Sequence, residues 1–243
     1  MAEPYEYKNP LEFMTNRMKD PIWQGHKVKL VAPSVEMIGM IPDGETIMRH
    51  LEEAIRTAYK SEDAIKEGSH VKILKHILSL KHESTLEHVA ISFRIITSRG
   101  VTHELVRHRI ASYTQESTRY VNYGKKPAKI ILPWHLINRS DNEINFWFDS
   151  QERSIVDYAT ALDEYKWKPQ DARGLLTNDL KTEIVMTMNL RTLRNFLLLR
   201  TASSAHPDMQ VVAREILRLM MTLVPVLFQD IQDKVDPGVF IGN

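Results

Sequence analysis

Two runs of alternating residues constrain the fold of this chain most. Along residues 89–98, Val89, Ile91, Phe93 and Ile95 alternate with Ser92 and Arg94, and residues 182–188 alternate in the same way. A period of two puts apolar side chains on one face of a strand. The segments around these runs have a helical period instead. Thr46 is predicted to cap a helix reaching about Lys60, with Ile47, Leu51, Ile55 and Ala58 on one face. Ser69 is predicted to cap a second helix carrying Ile73, Leu74, Ile77 and Leu78. A polar connector over 81–88 leads into the first alternating run. After the break at Gly100 a helix is expected from Thr102 to about Ile110, then a loop from Ser112 running into a strand by Tyr120.

Farther along, Lys125-Lys126-Pro127 closes a unit and residues 130–132 form a short apolar stretch. Ser140 and Asp141 cap a long helix to about Lys166 carrying Phe146, Trp147, Ile155, Tyr158 and Leu162. Pro169 opens a short helix through Leu176, Leu190 to Arg200 is helical, and Pro207 opens a last helix toward Pro225. Near the start, residues 27–32 alternate as a first strand before Pro33. Helices and strands are therefore interspersed, and the class predicted is α+β: a mixed, largely antiparallel sheet flanked by helices. The chain has 9 glycines and no G-x-G-x-x-G, which removes a Rossmann turn. At 243 residues, with no internal repeat, a single domain over 1–243 is expected.

Cysteine is absent, which excludes disulfides, cysteine-ligated zinc and thiolate nucleophiles together. Ten histidines raise the question of a metal, but His82 and His88 are six apart, His103 and His108 five apart, and no H-E-x-x-H occurs, so none is expected. The net charge of +1 gives no global case for nucleic acid, so any basic site is local. No run of 18 apolar residues spans a membrane, and the first residues lack a signal-peptide pattern. A cytoplasmic protein is the expectation.

One segment concentrates chemistry. Residues 107–120, Arg107-His108-Arg109 through Gln115-Glu116-Ser117-Thr118-Arg119-Tyr120, hold three arginines and a single acid. Guanidinium forks suit phosphates and planar carbonyls, and the hydroxyls add short donors and acceptors. The plain alternative is a solvated helix end, where cations complement the dipole. Ser117 could be read as a nucleophile, but nothing near it in sequence supplies a base or an oxyanion site, so a binding role is preferred.

Arg-His-Arg, seven residues, then Ser resembles the signature of the flavin-dependent thymidylate synthases. Three more segments match in order. Lys81-His82-Glu83-Ser84-Thr85-Leu86-Glu87-His88 is similar to the family's His-Glu-x-x-x-Glu-His segment. Asp171-Ala172-Arg173 resembles the arginine before a late strand, and Asn189-Leu190-Arg191 with Asn195 and Arg200 resembles a late helix. The resemblance covers roughly residues 45 to 225 and is more specific than any one motif.

That resemblance implies a compact domain that forms a homotetramer with active sites shared between subunits. It implies reductive methylation of dUMP to dTMP, with 5,10-methylenetetrahydrofolate giving the carbon and NADPH reducing FAD. By position, Ser84, Arg107, His108, Arg109, Gln115, Asn189, Leu190, Arg191 and Asn195 would contact flavin. Glu104, Arg107, Gln115, Glu116, Ser117, Thr118, Arg119, Arg173 and Arg200 would contact the nucleotide. His82 and Glu87 would lie near the flavin and folate edge. Arg200 would be catalytic, stabilising negative charge as the uracil is polarised.

The chain departs from the family at Glu104, where glutamine is common, at Thr177, where Leu-Pro is usual, and at Ser204, where histidine often stands. Glu104 is open to a second reading, as a helix-surface partner of Arg107 three residues on. Two rival functions remain at this level. One is an anion-binding module using Arg107, Arg109 and Arg119 with Tyr113, Tyr120 and Tyr123 as stacking rings for RNA or nucleotides. The other is a flavin-binding relative without synthase activity.

Overall fold

The structure, a computed structural model, describes residues 10–25, 28–124 and 128–235. In order, the elements are α1 (Pro10–Arg17), β1 (Lys29–Val31), β2 (Ser34–Ile38), α2 (Gly44–Tyr59), α3 (Ser69–Ser79), β3 (Ala90–Ser98), α4 (Arg99–Leu105), β4 (Ser112–Gln115) and β5 (Lys129–Ile131). They continue with α5 (Asp141–Asp163), α6 (Pro169–Ala172), β6 (Lys181–Asn189), α7 (Leu190–Arg200), α8 (Pro207–Leu223) and α9 (Gln229–Gln232).

The two alternating runs, β3 and β6, pair antiparallel at the centre of a four-stranded sheet ordered β2-β3-β6-β4. Ile91, Phe93 and Ile95 stand opposite Met188, Met186 and Ile184, all buried. Those residues join Ile47, Leu51 and Ile55 of α2, Leu193, Phe196 and Leu197 of α7, and Val212, Ile216 and Met220 of α8 in the main core. The other face of the sheet carries Glu36, Arg94 and Glu183, and Arg94 bridges both acids. One apolar and one polar face is what the alternation predicts for an antiparallel sheet. The α+β expectation therefore holds, with a difference. All four strands of this sheet are antiparallel, and β1 and β5 form a separate parallel pair. A bridge between Ile130 and Leu180 joins that pair to the start of β6.

Several local expectations need correction. Asp43, not Thr46, caps α2: its carboxylate accepts from the Thr46 N–H at 2.9 Å. Gly68 caps α3, and Ser69 is already helical. The connector over 81–88 contains a 3-10 turn, Glu83–His88. The helix expected after Gly100 begins earlier, at Arg99, because the Ser98 hydroxyl caps its N-terminus, and it stops at Leu105. Arg107-His108-Arg109 thus lies beyond the helix, in a turn and irregular chain. The order after Ala111 is reversed, with strand β4 first and a turn at Thr118–Tyr120 after it. Strand β2 and helix α1 were not anticipated, having no clear period in a stretch mixing proline, tryptophan and charge. Residue 27 of the first expected strand and Lys125-Lys126-Pro127 lie outside the described residues. The Ser140 cap is present with its partner Glu143 as a capping box, and α7 spans the predicted residues. No helix among the described residues is long and apolar enough to cross a membrane.

A second core gathers Trp23, Trp134, Trp147 and Phe148 around β5 and α5. At its edge Asp208, in the first turn of α8, accepts the Trp134 backbone N–H at 2.6 Å. A helix N-terminus favours a carboxylate, yet burial outweighs it and raises the Asp208 pKa, helped by nearby Asp179. A raised folded pKa gives stability that is present below the unfolded value and lost as pH rises through the folded one. Asp208→Asn is therefore expected to be neutral or stabilising by about 1 kcal/mol at pH 7.5. The gain should shrink on acidification toward pH 4. Thermal melts across that range check it, and a clear loss of stability at pH 7.5 would contradict it.

Candidate active site

The residues singled out in the sequence fall into two groups at opposite ends of β6. Asn189 ends that strand and caps α7, accepting the Thr192 N–H at 2.8 Å. Around this junction lies a cleft of about 710 Å³ lined by Glu83, Glu87, Arg107, His108, Arg109, Asn189, Arg191 and Asn195. Its size suits a cofactor-scale ligand. The 3-10 turn at Glu83–His88 brings Glu87 onto Arg191 at 2.5 Å. The Arg107 and Arg109 side chains are exposed and make no ion pair among the described residues. Two uncommitted cations at the mouth of an α7 N-terminus make an anion-binding surface.

Arg200 sits next to this cleft. Its Nη1 donates to Glu104 at 2.9 Å and its Nε to His108 Nε2 at 2.9 Å. Its side chain is 22% exposed, so the stem is packed and the head is aimed. The i+3 partnership of Glu104 with Arg107 is not what forms; Glu104 pairs with Arg200 instead. Glu104 thus supplies a counter-charge to Arg200.

Burial first, and the Arg200 charge second, hold the His108 pKa below the usual histidine value, so the ring is neutral at neutral pH. With Nε2 accepting from Arg200, the ring proton is assigned to Nδ1. The ring packs edge-on against Phe196 at 4.9 Å, and the Tyr113 hydroxyl donates to the His108 carbonyl at 2.9 Å. His108 and Glu104 are therefore the two supports of one arginine.

The other group surrounds a pocket of about 560 Å³ lined by residues including Gln115, Glu116, Tyr123, Lys129 and Lys181. The Gln115 amide donates to Thr102 Oγ1 at 2.8 Å and Thr182 Oγ1 at 3.2 Å. Glu116 accepts from the Tyr123 hydroxyl at 2.9 Å and from Lys181 at 3.0 Å. Ser117 Oγ accepts the Arg119 N–H at 3.3 Å, and its carbonyl accepts from Tyr120 and Val121. Thr118 is buried, while the Arg119 guanidinium lies 5.6 Å from the Tyr120 ring centroid. Arg173 begins an exposed 3-10 turn. Buried Ala172 beside it packs in one cluster with Tyr123 and Tyr158, which brings Arg173 to this end of the molecule.

Gln115 stands opposite Ile184 on β6, five residues before Asn189. At the rise of an extended strand that is about 17 Å. That span separates Gln115 from the Asn189 end of the strand, whereas Arg200 is bonded to Glu104 on α4, the same helix as the Thr102 that Gln115 bonds. Leu190 stands apart from both groups. Its side chain is in the main core and its N–H is given to the Val89 carbonyl, so it does not line the cleft. Ser84 is exposed on the 3-10 turn, and His82 Nδ1 meets the Tyr59 hydroxyl at 3.2 Å. Among the described residues no group of acids and histidines is placed to hold a metal.

Reasoning from sequence missed Arg194, which is buried and paired with Glu83 and Asp230. Its signal was available: residue 194 lies four after Leu190 and three before Leu197, on the apolar face of the helix. Tyr123, singled out in the sequence as a stacking ring, is instead buried and donates to Glu116, while Lys181, which also bonds Glu116, carried no comparable mark.

Comparison with known proteins places the family and the fold. Residues 40–226 match the family described as thymidylate synthase complementing protein. A flavin-dependent thymidylate synthase of Clostridium tetani is 30% identical over 220 residues, covering 83% of this chain and 87% of the relative. One of Geobacter sulfurreducens is 36% identical over 145 residues, and there the alignment spans only 60% of each chain. Among solved structures, Thymidylate Synthase X from Helicobacter pylori, determined with FAD and dUMP, superposes with a TM-score of 0.67 at 25% identity, covering 82% of this chain and 98% of that one. The UMP/dUMP methylase PolB from Streptomyces cacaoi, bound with 5-Br dUMP, shares the fold with a TM-score of 0.72 at 20% identity, covering 86% and 98%.

Proposed function

The chain belongs to the flavin-dependent thymidylate synthase family, and from that premise we propose that it converts dUMP to dTMP in the cytoplasm, as one domain repeated in a homotetramer. The carbon comes from 5,10-methylenetetrahydrofolate. FAD, reduced by NADPH, supplies the hydride when bound. The observation that carries this reading is the fixed Arg200 head beside a cleft with free cations.

The fit of FAD rests on this chain's own groups. Arg107 and Arg109 are uncommitted donors for its phosphates, and Asn189, Arg191 and Asn195 offer polar edges at the α7 terminus. Glu87 holds Arg191 in the cleft. His82 and Ser84, at the start of the Glu83–His88 turn, belong in this reading to the flavin and folate edge of the site.

Arg200 donates to the uracil and stabilises negative charge developing on it, which makes C5 of the ring nucleophilic. Glu104 and His108 fix the guanidinium so that no reorganisation is needed as charge develops. The absence of cysteine agrees with activation by polarisation rather than by a thiolate. Ser117, Arg119 and Arg173 hold the nucleotide, with Gln115, Glu116 and Thr118 shaping that end. These groups and the cleft at Asn189 line two different pockets of one chain, and in this reading the active site is completed between subunits of the tetramer.

The test is an anaerobic absorbance spectrum of the purified protein with FAD, before and after NADPH. Bound flavin should bleach with NADPH, faster with dUMP present, and dTMP should form when methylenetetrahydrofolate is added. Failure to bind flavin overturns the reading and leaves anion binding by the arginine segment in its place.

A further inference from the structure

Arg173, one of the proposed nucleotide ligands, stands on a segment with little regular structure. From the end of the Arg173–Leu175 turn to Leu180 the chain is irregular until an isolated bridge, and then it enters β6. Side chains of α5 hold this segment. Trp147, Gln151 and Ser154 follow one another at four and three residues, which puts them on one face of the helix. Trp147 Nε1 donates to Asp179 at 2.8 Å, and the Gln151 amide nitrogen reaches the same carboxylate oxygen at 3.4 Å. The Thr177 hydroxyl donates to Gln151 Oε1 at 2.5 Å. Ser154 donates to the Leu175 carbonyl at 2.6 Å.

Gln151 is 4% exposed. A buried amide with both ends committed is costly to leave unmatched and specifies one arrangement. Arg173 is thereby presented between two anchors. Buried Ala172 packs against Tyr123 and Tyr158 on one side, and Leu175 and Thr177 are bonded to α5 on the other. The Thr177 hydroxyl thus makes one of the bonds that fix this turn.

We propose that Thr177 and Gln151 are positioning residues that aim Arg173 at the nucleotide. This rests on the proposed function above. The pair act through Arg173 and do not touch the flavin cleft at the other end of β6. Removing the Thr177 hydroxyl leaves the Gln151 oxygen buried without its donor, and the turn can then relax.

The experiment compares Thr177→Val, Thr177→Ser and Arg173→Ala in the full chain loaded with FAD. Affinity for dUMP is read from the perturbation of the flavin spectrum. Thr177→Val is expected to weaken dUMP binding and raise its KM by roughly 5- to 30-fold, the worth of one buried hydrogen bond. Its kcat and FAD affinity should stay near the starting values, and Thr177→Ser should restore dUMP binding. In an Arg173→Ala background, Thr177→Val should add nothing, since two residues acting through one contact are not additive. Should Thr177→Val prove poorly folded, Ser154→Ala removes the Leu175 anchor from the exposed side and is expected to act in the same direction.

Independent, additive losses in the double variant overturn the proposal, as does equal loss of FAD and dUMP binding. If the unaltered protein binds FAD but not dUMP, the functional reading and this inference both fall. If it binds dUMP and Thr177→Val binds it equally well, only the positioning role is lost.

Discussion

Arg200→Ala is expected to lower kcat by about 10²- to 10³-fold, the usual cost of removing one fixed donor aimed at developing charge. Flavin should remain bound, because the cleft of Arg107, Arg109, Asn189 and Arg191 is left intact. The argument is geometric. The guanidinium is held at 2.9 Å by both Glu104 and His108, so its remaining donor edge has a fixed direction. Lysine in its place keeps the charge but not the fork, and Arg200→Lys should recover little of the activity. A loss confined to the transition state lowers kcat and kcat/KM together. A change in KM alone, or loss of flavin along with activity, would remove Arg200 from this role. The variant has a second readout that does not depend on turnover. Arg200 is one of two causes depressing the His108 pKa. Its removal should move the His108 titration upward, seen by NMR of the imidazole resonances.

Arg194→Ala is expected to cost about 3 kcal/mol of stability, the lower end of the range for breaking a buried ion pair. The lower end applies because Glu83 and Asp230 both reach solvent and can be rehydrated, whereas Arg194 itself is almost fully buried. The guanidinium joins three parts of the molecule: Glu83 on the turn before β3, Asp230 in α9, and the Leu227 carbonyl. For a chain of this size the loss corresponds to a fall in Tm of roughly 6 to 12 °C. Since Glu83 also lines the flavin cleft, flavin affinity should fall with it. Arg194→Lys keeps the charge without the fork and should lie between the two. A melting temperature unchanged in Arg194→Ala would mean that α9 is held by packing of Leu227 and Ile231 alone.

Much of the fold was legible because it is written in neighbouring residues. The alternation of β3 and β6, the apolar stripe of α7 and the Ser140–Glu143 capping box are local patterns, and each appears where it was expected. Ends were less legible. The helix at Arg99 starts early because a serine hydroxyl outside the apolar pattern caps its N-terminus, and it ends at Leu105. Strand β2 pairs along the edge of β3, with Val35 opposite Ile95 and Met37 opposite Phe93; its own alternation spans only Ser34 to Met37, too short to mark a strand alone. The chemistry of the site was legible in the same partial way, as a list of residues rather than an arrangement.

The sequence by itself determined which chemistry is possible. Without cysteine there is no thiolate, and the ordered motifs from His82 to Arg200 gave the family. Only the tertiary structure decided that Glu104 serves Arg200 and not Arg107, that Arg194 is structural, and that Asn189 and Gln115 line different pockets. The reason is physical. Helical and strand periods are set by residues a few positions apart, whereas the Arg200–Glu104 bond joins residues 96 positions apart. It is fixed by how α4 and α7 pack over one sheet face.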